Sequence, residues 1–161
     1  MVKGRSALRL LRLAATLPVG RWVALGEALV WVPATRAALA VVPWRRLSAA
    51  FERTPTRPGP PDLARAKHAI WAVDAVARRV LPARPCLTQA LVARRMLRRY
   101  GVDTDLQIGA ARGPEGDFRA HAWLERDGRT LIGRIRSDVP YIPFRTAGGA
   151  TDPGPHAEAA P

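Results

Sequence analysis

Cysteine and histidine are scarce in this chain of 161 residues, and the scarcity of each excludes a kind of site. The only cysteine is Cys86, which rules out an intramolecular disulfide and a cysteine-rich zinc site. The three histidines, His68, His121 and His156, are widely separated and form no HExxH-type pair. No glycine-rich phosphate loop occurs either. The sequence therefore predicts no bound metal and no cofactor.

Acidic residues are also scarce, because 13 of them stand against 26 basic residues and the formal net charge is +13. An excess of this size is typical of proteins that bind nucleic acid, an anionic membrane or an acidic partner. However, only Lys3 and Lys67 are lysines, and so many arginines with abundant alanine and proline are typical of a GC-rich coding bias. The arginines are dispersed and no recognition motif is present, so we expect no nucleic-acid partner.

Changes in composition along the chain predict four regions. The first residues have helical periodicity, and the eight that follow contain four prolines and a glycine, which is typical of a stiff linker. The pattern is then helical, later alternating, and finally without any period. The predicted organisation is an N-terminal helical module (1–53), a proline-rich linker (54–61), a functional unit (62–145) and a disordered tail (146–161).

The helical module lacks the uninterrupted apolar run of a signal peptide, because arginines fall inside a predicted helix over 5–17. Further helix is predicted over 20–50, where Pro33 is expected to start or kink a helix. Its apolar part could span a bilayer but contains Glu27 and Arg36, and a mid-membrane charge costs at least ~2.5 kcal/mol. We therefore predict a buried or interfacial helix in a cytoplasmic protein, with docking of a partner protein or contact with a membrane surface through the N-terminal helices.

Two helices are predicted after the linker. Asp62 is a suitable N-cap for a helix with apolar residues at three- and four-residue spacing up to about Val80. The next helix runs from Cys86 to Tyr100, and Gly101 is its C-cap glycine. Its arginines lie on the arc opposite Cys86, where a solvated face is the simplest interpretation. They are Arg94, Arg95, Arg98 and Arg99.

Beyond Gly101 the apolar period changes to two, which predicts antiparallel strands. One strand covers 105–110 and another covers 118–125. Asp127-Gly128 is a strong hairpin signal, and Thr130 to Ile135 supplies the returning strand. The predicted fold class is α+β, in which the helix that carries Cys86 packs on a small antiparallel sheet.

Cys86 follows Pro85 and so lies at the first turn of its helix. Unpaired N–H groups and a partial positive charge at a helix N-terminus favour the thiolate, and the same N–H groups can hold an oxyanion. Ala90, Ala93 and Leu97 share its helix face. A lone cysteine, however, is more often a small buried hydrophobe than a nucleophile.

His121 lies on the second predicted strand, where alternation places it on one face with Arg119 and Trp123. A lone strand histidine beside a tryptophan is more often structural than catalytic. Together with Cys86 it acquires a second interpretation. A helix-borne thiol followed by a strand-borne imidazole is the arrangement of papain-like and transglutaminase-like thiol enzymes.

Three motifs in this order resemble those of lasso-peptide leader peptidases, the stand-alone proteases of the split B-type system in the transglutaminase-like superfamily. The segment from Arg84 to Gly101 resembles the cysteine motif, and Asp105-Leu-Gln-Ile-Gly109 resembles the strand that follows it. The segment from Phe118 to Gly128, with its His-Ala-Trp core and Asp-Gly turn, resembles the histidine motif. The resemblance covers residues 62–135 and implies a transglutaminase-like (papain-like) fold for this unit.

The resemblance implies a cysteine peptidase that removes the leader from a ribosomally synthesised lasso-peptide precursor. Cys86 maps onto the nucleophile and His121 onto the general base. The implied partners are the precursor peptide, a small leader-binding protein of the RiPP recognition element type, and an ATP-dependent lasso cyclase.

The third catalytic position departs from the family pattern. Relatives carry an acidic residue about twelve positions after the histidine to orient the imidazole, whereas this chain has Gly133 followed by Arg134. Neither side chain can accept a proton from imidazole, so either another residue orients His121 or the site works as a dyad. Three weaker alternatives, unsupported by spacing, are Asp105, Gln107 and Asp138.

Two other interpretations stay open. A catalytically impaired scaffold would bind the leader-recognition partner without processing anything, and the net charge would also suit a basic module for nucleic acid or anionic membranes. Acyl transfer to an amine would use the same two residues as hydrolysis, because both reactions pass through a thioester.

Overall fold

Four helices precede a four-stranded antiparallel sheet in the computed structural model of the chain, which describes residues 17–81, 85–113, 116–134 and 141–144. The predicted α+β fold class is thereby confirmed. The predicted helix over 5–17 except its last residue, the tail over 146–161 and Asp138 lie outside the described residues.

The elements are numbered in chain order. The helices are α1 (Val19–Val41), α2 (Trp44–Glu52), α3 (Leu63–Val80) and α4 (Cys86–Arg99). The strands are β1 (Asp105–Arg112), β2 (Phe118–Arg126), β3 (Arg129–Ile132) and β4 (Ile142–Pro143).

Helix α1 continues past Pro33, and the break between helices lies at Val42 and Pro43 instead. Pro33 has no N–H to donate to the preceding turn, but it lies on the exposed side of α1, where water can bind the unpaired carbonyl. The opposite side of α1 packs into the core through Ala24, Ala28 and Val32.

Helix α3 begins as predicted, because the Asp62 carboxylate accepts a hydrogen bond of 3.0 Å from the backbone N–H of Arg65. Its buried side consists largely of small residues, among them Ala66, Ala69 and Ala72. Small side chains let helices approach closely, and α1, α3 and α4 share one core.

Helix α4 ends close to the predicted position. Gly101 has a φ of +73°, in the left-handed region that favours glycine. Its N–H donates to Arg98 O at 3.1 Å, and the N–H of Val102 donates to Leu97 O at 3.0 Å, so these terminal carbonyls of the helix are satisfied.

The four arginines of α4 do not form the uniformly solvated face that the sequence suggested, because Arg98 is only 9% exposed. Its Nη1 donates to the carbonyl oxygens of Phe51, Glu52 and Thr54 at 3.0–3.2 Å, and its Nε donates to Asp103 at 3.0 Å. These carbonyls belong to the end of α2 and the residues after it, where helix carbonyls lack partners within the helix. Helix periodicity cannot show that carbonyl groups far away in the sequence need Arg98 as a hydrogen-bond donor.

Two neighbouring arginines of α4 also contact other helices. The guanidinium of Arg95 lies 3.8 Å from the ring centroid of Trp31, and Arg99 pairs with Glu27 at 2.9 Å. The Glu27 side chain is only 17% exposed, so this charged residue of α1 is held against α4 by its partner.

The sheet has the strand order β3-β2-β1-β4. Asp127 and Gly128 both have positive φ, as a two-residue hairpin turn requires, so the predicted hairpin is confirmed. The returning strand ends at Ile132 and not at Ile135, because Gly133 takes a φ of +80°. A β-bulge lies within the strand, and Ile132 still pairs with Leu124 beyond it.

One face of the sheet carries residues that belong to or pack against the shared core, namely Leu106, Ile108, Ala122 and Leu124. Ala90, Ala93 and Leu97 of α4 are buried in the same core. The predicted packing of the Cys86 helix on a small antiparallel sheet is therefore present.

We predict that Arg98→Met lowers the free energy of unfolding by about 2–4 kcal/mol, because it keeps the apolar stem but leaves buried carbonyl groups without a donor. Urea denaturation followed by circular dichroism measures the loss. Arg78→Met is the matched control, since Arg78 pairs with Asp74 on the surface and should cost less than about 0.5 kcal/mol. Equal losses in the two variants would contradict the role given to Arg98.

We also predict an acid-sensitive contribution from Asp103. Burial acts to raise the pKa of Asp103, but hydrogen bonds from Arg98 and from the Thr104 N–H outweigh it, and the pKa is lowered. A carboxylate with a lowered pKa in the folded state stabilises the fold at neutral pH and loses that contribution as pH falls below about 4. Asp103→Asn should therefore destabilise the protein at pH 7 more than in acid, and a pH-independent cost would contradict this assignment.

Candidate active site

Cys86 is the first residue of α4, and its thiol is free. The N-cap residue Pro85 forms no side-chain hydrogen bond to the first turn, so no side chain there competes for the N–H groups of this turn. The side chain of Cys86 is half-buried and packs against the shared core, on the same helix face as Ala90 and Ala93. The environment combines partial access with the positive end of a helix.

His121 lies on β2, opposite Gly109 of β1, and is half-buried. Its Nε2 lies 2.7 Å from the carbonyl oxygen of Gly133. A carbonyl oxygen can only accept, so Nε2 must carry the proton in this contact. In the neutral ring, Nδ1 is then the unprotonated nitrogen and is available as a base.

Two aromatic rings hold the imidazole from its sides. Trp123 stacks with it at a centroid distance of 6.0 Å and an interplanar angle of 17°, and Tyr141 tilts against it at 5.5 Å and 55°. The indole N–H of Trp123 donates to Glu125 at 2.7 Å, which fixes the orientation of the tryptophan. Tyr141 was not predicted, because it lies 20 positions from the histidine and next to a strand of two residues.

Two glycines make room for this arrangement. A Cβ at Gly109 would lie 2.8 Å from the carbonyl oxygen of Ile142 and 3.0 Å from the Trp123 ring. A Cβ at Gly133 would lie 2.8 Å from the carbonyl oxygen of Ala122 and 2.9 Å from Cβ of Trp123. Contacts this short are not tolerated, and the φ of Gly133 also disfavours any side chain.

The sequence argument about Gly133 and Arg134 considered side chains alone. The acceptor that His121 has in the structure is a main-chain carbonyl, which every residue type possesses. One local signal for this contact was present in the sequence. Gly133 stands where relatives carry an acidic residue, and a glycine has no Cβ to keep the backbone away from the imidazole.

The other predicted orienting residues have different surroundings. Asp105 is exposed at the start of β1, opposite Glu125, while Gln107 is half-buried opposite Trp123. No hydrogen bond joins Asp105 or Gln107 to His121 in the described part of the chain. Asp138 is outside it.

Cys86 and His121 are carried by packed elements, but no hydrogen bond joins them among the described residues. Strand alternation places His121 on the face of β2 opposite Ala122 and Leu124, which lie in the core shared with α4. The structure therefore brings His121 together with Gly133, Trp123 and Tyr141, while the Cys86 thiol lies at the start of α4. In the described ranges, no group of three or more His, Cys, Asp or Glu side chains could hold a metal ion.

A thiol that opens a helix packed on an antiparallel sheet, with an imidazole held on the second strand, defines the class of thiol-enzyme folds to which transglutaminases belong. The family model of the transglutaminase-like superfamily matches residues 28–146 of the chain. The chain belongs to this superfamily. Neither the search of curated proteins nor that of solved structures found a match.

We predict that Gly133→Ala disrupts the imidazole contact, because a Cβ at this position meets the Ala122 carbonyl and the Trp123 backbone. Nitrogen-15 NMR of the histidine ring should show protonated Nε2 in the native protein and mixed tautomers in the variant. Gly128→Ala is the matched control, since Gly128 also has a positive φ but a Cβ there would meet nothing within 4 Å. An unchanged tautomer in Gly133→Ala would contradict the orienting role of this carbonyl.

Proposed function

We propose that this protein is a cysteine peptidase that removes the leader from a ribosomally synthesised lasso-peptide precursor. Membership of the transglutaminase-like superfamily supports a thiol-based reaction, and the three motifs around Cys86, β1 and His121 support the leader-peptidase assignment. The observation that carries the proposal is the 2.7 Å contact of His121 with Gly133, because it leaves Nδ1 as a base despite the missing acidic residue.

In the proposed reaction, Nδ1 of His121 takes the proton of the Cys86 thiol and the sulfur attacks the scissile carbonyl carbon. The backbone N–H groups at the start of α4 stabilise the negative oxygen that forms. The intermediate then collapses: the C–N bond breaks, and the departing amine takes the proton from the imidazolium. Water, deprotonated by the same nitrogen, then attacks the thioester carbon. The C–S bond breaks, the Cys86 sulfur takes the proton back from the imidazolium, and the leader leaves with a free carboxylate.

The carbonyl of Gly133 has a positioning role in this mechanism. It accepts a hydrogen bond throughout and never exchanges a proton, so it selects the ring tautomer in the way that the orienting group of a catalytic triad does. Trp123 and Tyr141 limit rotation of the ring. A thiol depends less on the third group than a serine hydroxyl would, because it is intrinsically more acidic and more nucleophilic.

The lack of a hydrogen bond between Cys86 and His121 among the described residues favours a second candidate, in which the protein is a scaffold that binds the leader-recognition partner without cleaving. In either case we propose the same partners. These are the precursor peptide and a small leader-binding protein, followed by an ATP-dependent cyclase that closes the ring. Transfer of the acyl group to an amine in place of water would use the same Cys86 and His121.

We predict that Cys86→Ala and His121→Asn abolish leader removal, lowering the rate by at least about 10³-fold, when the full chain is mixed with precursor and leader-binding protein. Mass spectrometry of the precursor measures the cleavage. His68→Asn is the matched control, because His68 is a described histidine on α3 that the mechanism does not use, and cleavage should persist in this variant.

Alkylation of Cys86 by iodoacetamide distinguishes the peptidase from the scaffold. The peptidase should react faster than a free thiol peptide at neutral pH, and His121→Asn should slow the reaction. Cleavage that survives Cys86→Ala would refute the proposed nucleophile. Ordinary reactivity with no cleavage, despite retained partner binding, would establish the scaffold.

A further inference from the structure

Helix α1 has one face that nothing covers in the part of the chain that the structure describes. Its large apolar side chains on that side are between about half and four-fifths exposed. They are Val19, Trp22, Val23, Leu29, Val30 and Val41, and they define the outer face of α1. Their spacing of three, four and seven residues forms one stripe along a helix of 23 residues, about 35 Å long.

The outer face carries no charge along its centre. Arg36 lies exposed at one edge, and Glu27 lies at the other with its carboxylate bound to Arg99. Soluble proteins rarely leave so long an apolar stripe uncovered, and such a stripe indicates a partner or a lipid surface.

The charges around the outer face favour an anionic partner. Within residues 17–51, four residues are basic and only Glu27, which is already paired, is acidic. Arg36, Arg45 and Arg46 are exposed on α1 and α2. An apolar helix face with an exposed arginine at its edge and further arginines on the next helix is typical of segments that lie on anionic bilayers.

The positions of two tryptophans add to this argument. Trp22 is exposed near the start of α1, and Trp44 is exposed just beyond its end. Amphipathic aromatic rings are enriched at the boundary between hydrocarbon and water, and these two would lie at that boundary near opposite ends of the helix.

The buried side of α1 indicates whether this helix would lie on a bilayer or cross it. This helix is long and apolar enough to span a membrane, but the core helix of a soluble protein can have the same length and composition. Here Ala24, Ala28 and Val32 are fully or almost fully buried against other helices, and Glu27 is tied to α4. Crossing would expose all of these contacts to lipid, whereas lying in the interface would leave them intact.

We infer that the outer face of α1 docks on the surface of an anionic lipid bilayer, with the helix parallel to the membrane plane. The apolar stripe enters the interface and the arginines remain at the level of the head groups. This inference is independent of the proposed peptidase activity, because it does not involve Cys86 or His121.

Vesicle sedimentation with the full chain tests this inference. The protein should bind phosphatidylcholine vesicles that contain about a third phosphatidylglycerol much more strongly than pure phosphatidylcholine vesicles, and raising the salt to about 0.5 M should weaken the binding. Val23→Glu with Val30→Glu should lower the partition coefficient at least about tenfold, because both side chains point from the stripe.

The matched control places the same two charges elsewhere. Phe118→Glu with Ile142→Glu changes two residues of the sheet that are each more than 70% exposed, and this variant should bind vesicles nearly as well as the native chain. Equal weakening in both double variants would mean that net charge alone drives binding, and would overturn the role of α1. Circular dichroism confirms that each variant is folded.

Two further outcomes would overturn the inference. Absence of binding to the anionic vesicles, together with a dimer that Val23→Glu and Val30→Glu convert to a monomer, would assign the outer face to a second copy of the chain. Absence of binding with a lowered melting temperature in that variant would assign it to the chain's own residues 1–16. Vesicle binding that also shifts the fluorescence of Trp22, as judged by loss of the shift in Trp22→Phe, would support the inference directly.

Discussion

The hydrogen bonds of the buried Arg98 guanidinium are the interactions on which the geometry of this protein depends. The guanidinium binds the carbonyl groups that end α2 and begin the proline-rich segment, and it also holds Asp103, two residues before β1. The backbone of the same turn binds that segment as well, since Arg57 N–H donates to Arg98 O and Asp62 N–H donates to Tyr100 O. Helices and sheet are thus joined at one end of α4, while Cys86 stands about 20 Å away at the other end.

A core rich in alanine explains how the helices reach this arrangement. Ala28 of α1, Ala69 of α3 and Ala93 of α4 are completely buried, so the helix backbones can approach closely. The superfamily match begins at residue 28, within α1, and therefore includes the C-terminal half of that helix as well as the sheet. The helix that presents an uncovered outer face is at the same time part of the core that supports α4.

Local chemistry made much of this fold predictable. Asp62 as an N-cap, Gly101 as a C-cap and Asp127-Gly128 as a turn each act within a few residues, so the sequence around them is sufficient. The course of α1 through Pro33 could not be predicted in this way, because it depends on which side of the helix faces water. The burial of Arg98 depends on carbonyl groups more than 40 positions earlier in the chain. The contact of His121 with Gly133 was missed for a different reason. Every residue type has a backbone acceptor, and a glycine indicates only that the backbone can approach the ring.

The use of a main-chain carbonyl beside His121 has a consequence for how the site responds to its surroundings. A carboxylate in that place would carry a charge of its own and would lose it in acid, whereas an amide carbonyl is neutral and does not titrate in water. Acid therefore cannot protonate the group that orients the ring. A side-chain substitution at position 133 also leaves this main-chain carbonyl in the chain, although it can move it. Evolution can change this contact only by moving the backbone after β3. The position of the imidazole therefore depends on the geometry of the hairpin that β2 and β3 form.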